Sequence, residues 1–263
     1  MKKVILSFAF TALVAMTTPA LAQSAFDGVW KVDLASAQLS DRPYVVELQN
    51  GVYTCSSCVP AYSVPADGEM HKVEGFSYWD EMSVRVVDGR TVEDAQMLRG
   101  RPVGTSRSQV SADGTTMTTT WTDTSAPDGT TSSGEGTMTR IAAGASGAHA
   151  MSGSWKNEAV SSVSEASLTA TVGLVDGVFS FRSGTGYAYE VRLGGAAVPV
   201  TGDLAGATVT AFQLANGSIE VTDHIAGEAT SRMTLTPAGD GSMTVRSENL
   251  KIGTITNYKL IRQ

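Results

Sequence analysis

The chain has 263 residues, with 19 basic and 26 acidic side chains and a net charge of −7 at neutral pH. It contains no basic run, so a nucleic acid is excluded as a partner and an anionic membrane surface is disfavoured, because nothing would attract their phosphates. After the first 22 residues no apolar stretch approaches the roughly 20 residues of a spanning helix, so we expect no membrane insertion.

Residues 1–22 have the three parts of a secretory signal peptide. Lys2 and Lys3 form a basic start, residues 4–16 form an apolar stretch, and residues 20–22 (Ala-Leu-Ala) form a small-x-small cleavage site. We therefore expect the mature protein to be periplasmic or secreted.

The rest of the chain contains one pattern twice. The Gly-Val-Trp-Lys run at 28–31 recurs as Gly-Ser-Trp-Lys at 153–156, and each copy closes on an arginine, Arg140 or Arg262. A repeat of about 120 residues is long enough for each copy to have its own core. The sequence predicts two domains, residues 24–141 and 151–263. A short flexible linker rich in Ala, Gly and Ser, residues 142–150, joins them.

Each copy is predicted to be all-β. Apolar and polar residues alternate over short runs such as 43–48 and 187–193, and this period of two indicates strands. Asn-Gly or Asp-Gly pairs separate the runs and supply the positive φ that tight hairpins require. Turns this frequent favour an antiparallel meander of about eight or nine strands per copy.

Cys55 and Cys58 are the only two cysteines, and both lie in the first copy. Their spacing places them at the ends of a β-turn, where the Cα separation suits a disulfide, and an exported chain meets an oxidising compartment. We predict a structural disulfide. A redox CxxC site and a metal site are the alternatives, although the preceding segment is strand-like and lacks the helix N-terminus that lowers a thiol pKa.

Features that only one copy has are the candidates for function, because shared features serve folding. Residues 71–85 of the first copy combine a base, carboxylates, aromatic rings and a guanidinium. If adjacent strands bring His71 to Asp80, the two could share a proton in catalysis; otherwise the stretch is a solvated hairpin tip. The candidates are His71 and Asp80 as catalytic residues, and Tyr78, Trp79 and Arg85 as ligand-binding residues.

The second copy contains two aromatic pairs. Phe179 and Phe181 stand two apart, as do Tyr187 and Tyr189, so each pair projects to one face of its strand. Inside a barrel the four rings would line a ligand cavity, and the alternative is plain core. No catalytic, nucleotide-binding or metal-binding motif occurs locally, so we predict no cofactor and no metal site.

The Gly-x-Trp start, the antiparallel meander and the closing arginine of each copy resemble the lipocalins and their calycin relatives. The resemblance implies two tandem up-and-down β-barrels, each with its tryptophan packed across a closed bottom under an arginine. Carried over, Trp30 pairs with Arg140 and Trp155 pairs with Arg262 as structural residues. The long helix that usually precedes the last strand is missing. Two β-sandwiches are the alternative fold, because strand count does not separate the two architectures.

The resemblance implies an exported binding protein that holds a small apolar or amphipathic ligand in a barrel cavity. Two other classes of function stay open. One is an enzyme of the cyclase, isomerase or lyase type that uses His71 and Asp80, since the fold permits catalysis. The other is a protein-binding or inhibitory module that uses exposed strand edges and loops.

Overall fold

The computed structural model describes residues 24–263, so the predicted signal peptide lies outside the described residues. These residues form twenty strands in two ten-stranded antiparallel sheets, and each sheet curls into a nearly closed barrel. The prediction of an all-β protein with two barrels is confirmed, and the barrels replace the sandwich alternative. Within the described range the only helix is one turn long, α1 (Glu165–Leu168).

The first barrel is the contiguous run of strands β2 to β11. Its strands are β2 (Tyr44–Gln49), β3 (Val52–Cys55), β4 (Tyr62–Pro65), β5 (His71–Lys72), β6 (Glu81–Asp88), β7 (Thr91–Leu98), β8 (Arg101–Val110), β9 (Thr116–Asp123), β10 (Ser132–Ala143) and β11 (Gly153–Val163). Their order in the sheet is β4-β3-β2-β11-β10-β9-β8-β7-β6-β5.

The second barrel is discontinuous in the chain. Its strands are β1 (Gly28–Gln38), β12 (Thr169–Val175), β13 (Val178–Ser183), β14 (Ala188–Arg192), β15 (Val198–Pro199), β16 (Thr208–Gln213), β17 (Ile219–Ile225), β18 (Glu228–Pro237), β19 (Met243–Asn249) and β20 (Thr254–Arg262). Their order in the sheet is β14-β13-β12-β1-β20-β19-β18-β17-β16-β15.

The first strand of each repeat therefore lies in the barrel of the other repeat. Strand β1 pairs with β12 and β20, and strand β11 pairs with β2 and β10. The exchange has a local cause, because β10 and β11 are consecutive and joined by a short loop, and such strands form an antiparallel hairpin. Since that hairpin places β11 in the first barrel, β1 takes the matching place beside β20.

The segment predicted to be a flexible linker, 142–150, includes the end of β10 and the loop of this hairpin. The backbone N–H of His149 donates to the carbonyl of Leu48 at 2.9 Å, and His149 Nε2 lies 2.7 Å from the carbonyl of Asp88. These bonds hold the loop against the first barrel. The two-domain division stays a prediction, and its boundary does not coincide with the boundary between the two sheets.

Each barrel has a closed end beside its tryptophan and a mouth at the opposite end, and loops at the two mouths contact each other. The phenol of Tyr78, from the first barrel, donates to Asp203 Oδ2 of the second barrel at 3.0 Å. Ser125 Oγ of the first barrel lies 3.3 Å from Tyr187 Oη of the second. The two mouths therefore face one another.

Candidate ligand-binding site

The closed end of the first barrel is plugged by Trp155, which is fully buried, with Arg140 above it. The guanidinium carbon of Arg140 lies 4.0 Å from the centre of the indole. The same guanidinium donates to the carbonyls of Gly114, Ser152 and Ala150 at 2.5–2.6 Å. The cation–π contact and these three bonds fix the arginine across the end of the barrel.

The closed end of the second barrel repeats this arrangement with Trp30 and Arg262. The guanidinium carbon of Arg262 lies 4.5 Å from the centre of the indole. The predicted pairs, Trp30 with Arg140 and Trp155 with Arg262, are therefore wrong in partner although the type of contact is right. The exchange of β1 and β11 is the reason, since Trp30 lies opposite Arg262 in the sheet and Trp155 lies opposite Arg140.

The mouth of the first barrel opens into a cavity of about 320 Å³. This volume is near the lower end of the roughly 300–1,000 Å³ that is typical of small-molecule sites. Aromatic and polar side chains supply most of its wall: Tyr44, Tyr53, Tyr62, Asp94, Gln96, Ser106 and Trp121.

A smaller chamber of about 110 Å³ lies deeper in the same barrel. Five side chains line both chambers and so lie between them, and we call this group the neck: Tyr44, Tyr53, Met82, Asp94 and Ser106. The remaining wall of the inner chamber is mainly apolar and includes Val84, Val92, Met138 and Met151. The barrel thus offers a polar neck between an apolar inner chamber and an aromatic outer chamber.

The neck carries a partly buried carboxylate and two phenols that bond to each other. The hydroxyl of Ser106 donates to Asp94, and the phenol oxygens of Tyr44 and Tyr53 are 2.5 Å apart. Burial raises the pKa of Asp94 above its usual range, because the hydrogen bond from Ser106 offsets only part of the desolvation. Burial also raises the pKa of Tyr44 to about 12, so both phenols stay protonated and able to donate at neutral pH.

Trp121 forms one side of the outer chamber and depends on a glycine in the next strand. In the sheet, Trp121 lies opposite Gly134 of β10. A β-carbon at Gly134 would lie 2.2 Å from the indole ring, so any other residue there would displace the tryptophan. The missing side chain therefore allows the indole to lie flat against β10.

The second barrel has a matching carboxylate. Asp94 lies opposite Ser106 between β7 and β8, and Asp223 lies opposite Ser231 between β17 and β18. The hydroxyl of Ser231 donates to Asp223, and burial raises the pKa of this carboxyl too. A partly buried Asp–Ser pair is thus a feature of both barrels.

The two phenols of the neck belong to the first barrel only. Tyr44 lies opposite Trp155 in the sheet, whereas Ala170 lies opposite Trp30 at the matching place. Tyr53 follows the Asn-Gly turn at 50–51 of the first barrel. At the matching place of the second barrel, after the Asp-Gly turn at 176–177, the residue is Phe179. Because features that only one copy has are the candidates for function, the two phenols make the neck of the first barrel the stronger candidate site.

The predicted catalytic pair is not brought together. His71 Nε2 lies 2.9 Å from Asp67 Oδ1, whereas Asp80 Oδ1 accepts the backbone N–H of Arg99 at 2.9 Å. His71 and Asp80 therefore each have another partner, and the stretch forms the edge strand β5 and a loop at the mouth.

The ligand-binding candidates of this stretch lie around the cavity rather than in its wall. Tyr78 is 47% exposed and bonds to the second barrel. Trp79 stacks on Phe76 with 4.1 Å between ring centres, and its edge meets Tyr62 at 5.4 Å, so it supports the wall from behind. Arg85 forms an ion pair with Glu93 on the outer face of the sheet.

The four aromatic candidates of the second barrel divide between core and interface. Phe179 is fully buried in the core. Phe181 stacks on Tyr189 with 5.3 Å between ring centres, and these two rings pack against the core and also line a cavity of about 370 Å³. Tyr187 precedes β14 and reaches Ser125 of the first barrel. The rings thus cluster as expected from their spacing, but Tyr187 is separated from the other three.

Cys55 and Cys58 form a disulfide, as predicted, with their Cα atoms 5.5 Å apart. Cys55 is fully buried and lies opposite Tyr62 in the sheet, so the bridge closes the β3–β4 turn directly behind the cavity wall. Across residues 24–263, no three His, Cys, Asp or Glu side chains form a group that could hold a metal ion.

None of the neck residues was predicted from the sequence, namely Tyr44, Tyr53, Met82, Asp94 and Ser106. One available signal was the polar Asp94 at an inward position of β7, two residues after the buried Val92. A second was the repeated Thr-Ser-Arg at 105–107 and 230–232, which contains both serine partners.

Comparison with known proteins yields no relative of this chain: no family model matches it, and neither a curated protein nor a solved structure is significantly similar. Among residues 24–263 there is also no helix with the length and apolar character needed to cross a membrane.

Proposed function

We propose that the protein is an exported, lipocalin-like binding protein that holds a small amphipathic ligand in the first barrel. One observation carries the proposal, namely the two-chamber cavity with Tyr44, Tyr53 and Asp94 at its neck. A mainly apolar pocket with a few convergent polar groups is the usual form of a small-molecule site. The apolar inner chamber suits the ligand's apolar part, and the neck suits its polar group.

Physical cost supports a binding role for the neck. A buried carboxylate without a cationic partner destabilises the folded protein, and an apolar residue at the position of Asp94 would fill the barrel at lower cost. Carboxyls with a raised pKa cluster at functional sites, and in the first barrel this carboxyl lies beside two phenols that the second barrel lacks. The signal-like segment at 1–22 and the disulfide at Cys55–Cys58 support the proposal of export.

The test is a titration of the mature protein with fatty acids, retinoids, phenols and amphipathic amines, in which indole fluorescence reports binding. Trp121 lines the outer chamber and reports on its occupation. We expect at least one ligand class to saturate the signal at one molecule per chain. Native mass spectrometry of the purified protein checks for a ligand that is carried over from the cell.

A matched pair of variants locates the site. Tyr53→Phe removes one neck phenol, and the reverse change at the equivalent position, Phe179→Tyr, alters the second barrel. We expect Tyr53→Phe to weaken binding about five- to tenfold, as the loss of one hydrogen bond does, and Phe179→Tyr to leave the affinity unchanged. The proposal is wrong if no ligand class saturates, or if only the second-barrel variant alters binding.

A further inference from the structure

The carboxylate at the neck of the first barrel has no oppositely charged partner among the described residues. Asp94 accepts a hydrogen bond from Ser106, and it forms no ion pair with any Lys, Arg or His among residues 24–263. The nearest charged groups of the same strand pair, Glu93 and Arg107, bond to each other at 2.5 Å on the outer face. The carboxylate therefore faces the cavity uncompensated.

Aromatic rings surround this carboxylate. Tyr44, Tyr53, Tyr62 and Trp121 line the outer chamber together with Asp94. An aromatic face attracts a cation through the ring quadrupole, and the attraction grows when water is excluded. A carboxylate among aromatic rings is complementary to an organic cation, whereas a ligand carboxylate or phosphate would be repelled.

The charge of the whole molecule acts in the same direction. The chain has a net charge of −7, which raises the local concentration of cations and lowers that of anions near the protein. A metal ion is the poorer fit, since Asp94 belongs to no group of three His, Cys, Asp or Glu ligands within the described chain. An ammonium needs only one carboxylate and a few acceptors or rings.

We infer that the ligand of the first barrel is a small organic ammonium ion, with its charged nitrogen at Asp94 and its apolar group in one of the two chambers. This inference rests on the proposed function and adds the chemical class of the ligand. Asp94 accepts a hydrogen bond from the ammonium, and the phenol oxygens of Tyr44 and Tyr53 provide further acceptors.

The experiment compares ligands that differ only in their polar group. Hexylammonium, 1-hexanol and hexanoate are titrated into the mature protein by calorimetry, and benzylammonium, benzyl alcohol and benzoate form a second series. We expect each ammonium to bind about tenfold or more tightly than its alcohol, as a charge-assisted hydrogen bond gives, and each carboxylate to bind most weakly.

Two matched variants, one in each barrel, test whether Asp94 causes the preference for the ammonium. Asp94→Asn retains an acceptor for Ser106, and it should remove the preference, so that the variant binds the ammonium no more tightly than the alcohol. Asp223→Asn makes the same change at the matching Asp–Ser pair of the second barrel, and it should retain the full preference.

Two outcomes would overturn the inference in different ways. If the alcohols or carboxylates bind wild-type protein as tightly as the ammonium ions, the site binds ligands but the assigned class is wrong. If none of the six compounds binds and the wider ligand panel is also silent, the proposed function itself fails. The wild-type comparison gives this answer even if a variant fails to fold.

Discussion

At the scale of single residues, the contact between tryptophan and arginine joins neighbouring strands that come from different repeats. Trp155→Ala removes a fully buried indole and should reduce the free energy of unfolding by about 3–5 kcal/mol. Arg140→Ala should cost about 1–2 kcal/mol, because it removes the stacked guanidinium and three hydrogen bonds to backbone carbonyls. Urea unfolding of the single and double variants measures the coupling between the two residues, and we expect less-than-additive losses.

The crossed combination is the control for this cycle. Trp155→Ala and Arg262→Ala lie in different barrels, so their losses should add. Coupling of Trp155 to Arg262 in place of Arg140 would show that β1 and β11 each lie in the barrel of their own repeat.

The buried carboxylate predicts a pH-dependent stability. Burial raises the folded-state pKa of Asp94, so the folded protein binds more protons than the unfolded chain between the ordinary pKa and the raised one. Stability therefore falls as pH rises through this window. Asp94→Asn should be more stable than wild type at pH 7, and the difference should vanish below the ordinary value of about 3.9.

Urea midpoints of wild type and Asp94→Asn at a series of pH values check this prediction. Asp223→Asn should behave in the same way, because burial also raises the pKa of its carboxyl. A variant that is less stable than wild type at pH 7 would mean that the carboxylate has a cationic partner in the free protein.

At the scale of strands, the exchange of β1 and β11 predicts which fragment folds. Residues 39–164 contain all ten strands of the first barrel, including Trp155. Residues 24–141, the domain expected from the repeat, lack β11 and contain β1, whose neighbours lie in the second barrel. We expect 39–164 to give a dispersed NMR spectrum and a cooperative thermal transition, and 24–141 to give neither.

The two fragments have similar lengths and share the strands β2 to β9, so size does not explain a difference between them. Folding of 24–141 to an equally stable barrel would show that β1 can replace β11. The internal exchange would then be only one of two arrangements with similar energy.

At the scale of the whole molecule, the contact between the mouths predicts a coupling across the barrels. Tyr78 Oη donates to Asp203 Oδ2 at 3.0 Å. Burial is the main cause of the raised pKa of this phenol, and the negative charge of Asp203 is the second cause. Tyr78→Phe and Asp203→Ala should each reduce the free energy of unfolding by about 1 kcal/mol, with a coupling of about 0.5–1 kcal/mol between them.

A double-mutant cycle in urea measures this coupling. The exposed Glu74, on the same loop as Tyr78, is a control position: Glu74→Ala combined with Asp203→Ala should give additive effects. Strict additivity of the Tyr78 and Asp203 variants would show that the loops at the two mouths do not touch in solution.

Several features of this protein followed from local sequence because their causes are local. Alternation and the Asn-Gly or Asp-Gly pairs predicted strands and hairpins, and the structure has hairpins at Asn50-Gly51 and Asp176-Gly177, where all four residues have positive φ. Cys55 and Cys58 are close in the chain, so one turn decides their geometry. The repeat predicted two all-β units because each copy supplies enough alternating strands, whereas barrels in place of sandwiches were what the resemblance to the calycins implied.

The partner of each Gly-x-Trp strand was decided only by tertiary structure. Strands β1 and β11 both carry the Gly-x-Trp motif, and β10 and β20 both carry an arginine. The sequence is therefore compatible with either pairing of these strands. The hairpin of β10 and β11 selects one of them. The neck of the cavity is non-local for a similar reason: Tyr44, Asp94 and Ser106 come from three strands, and only closure of the sheet into a barrel turns them towards one another.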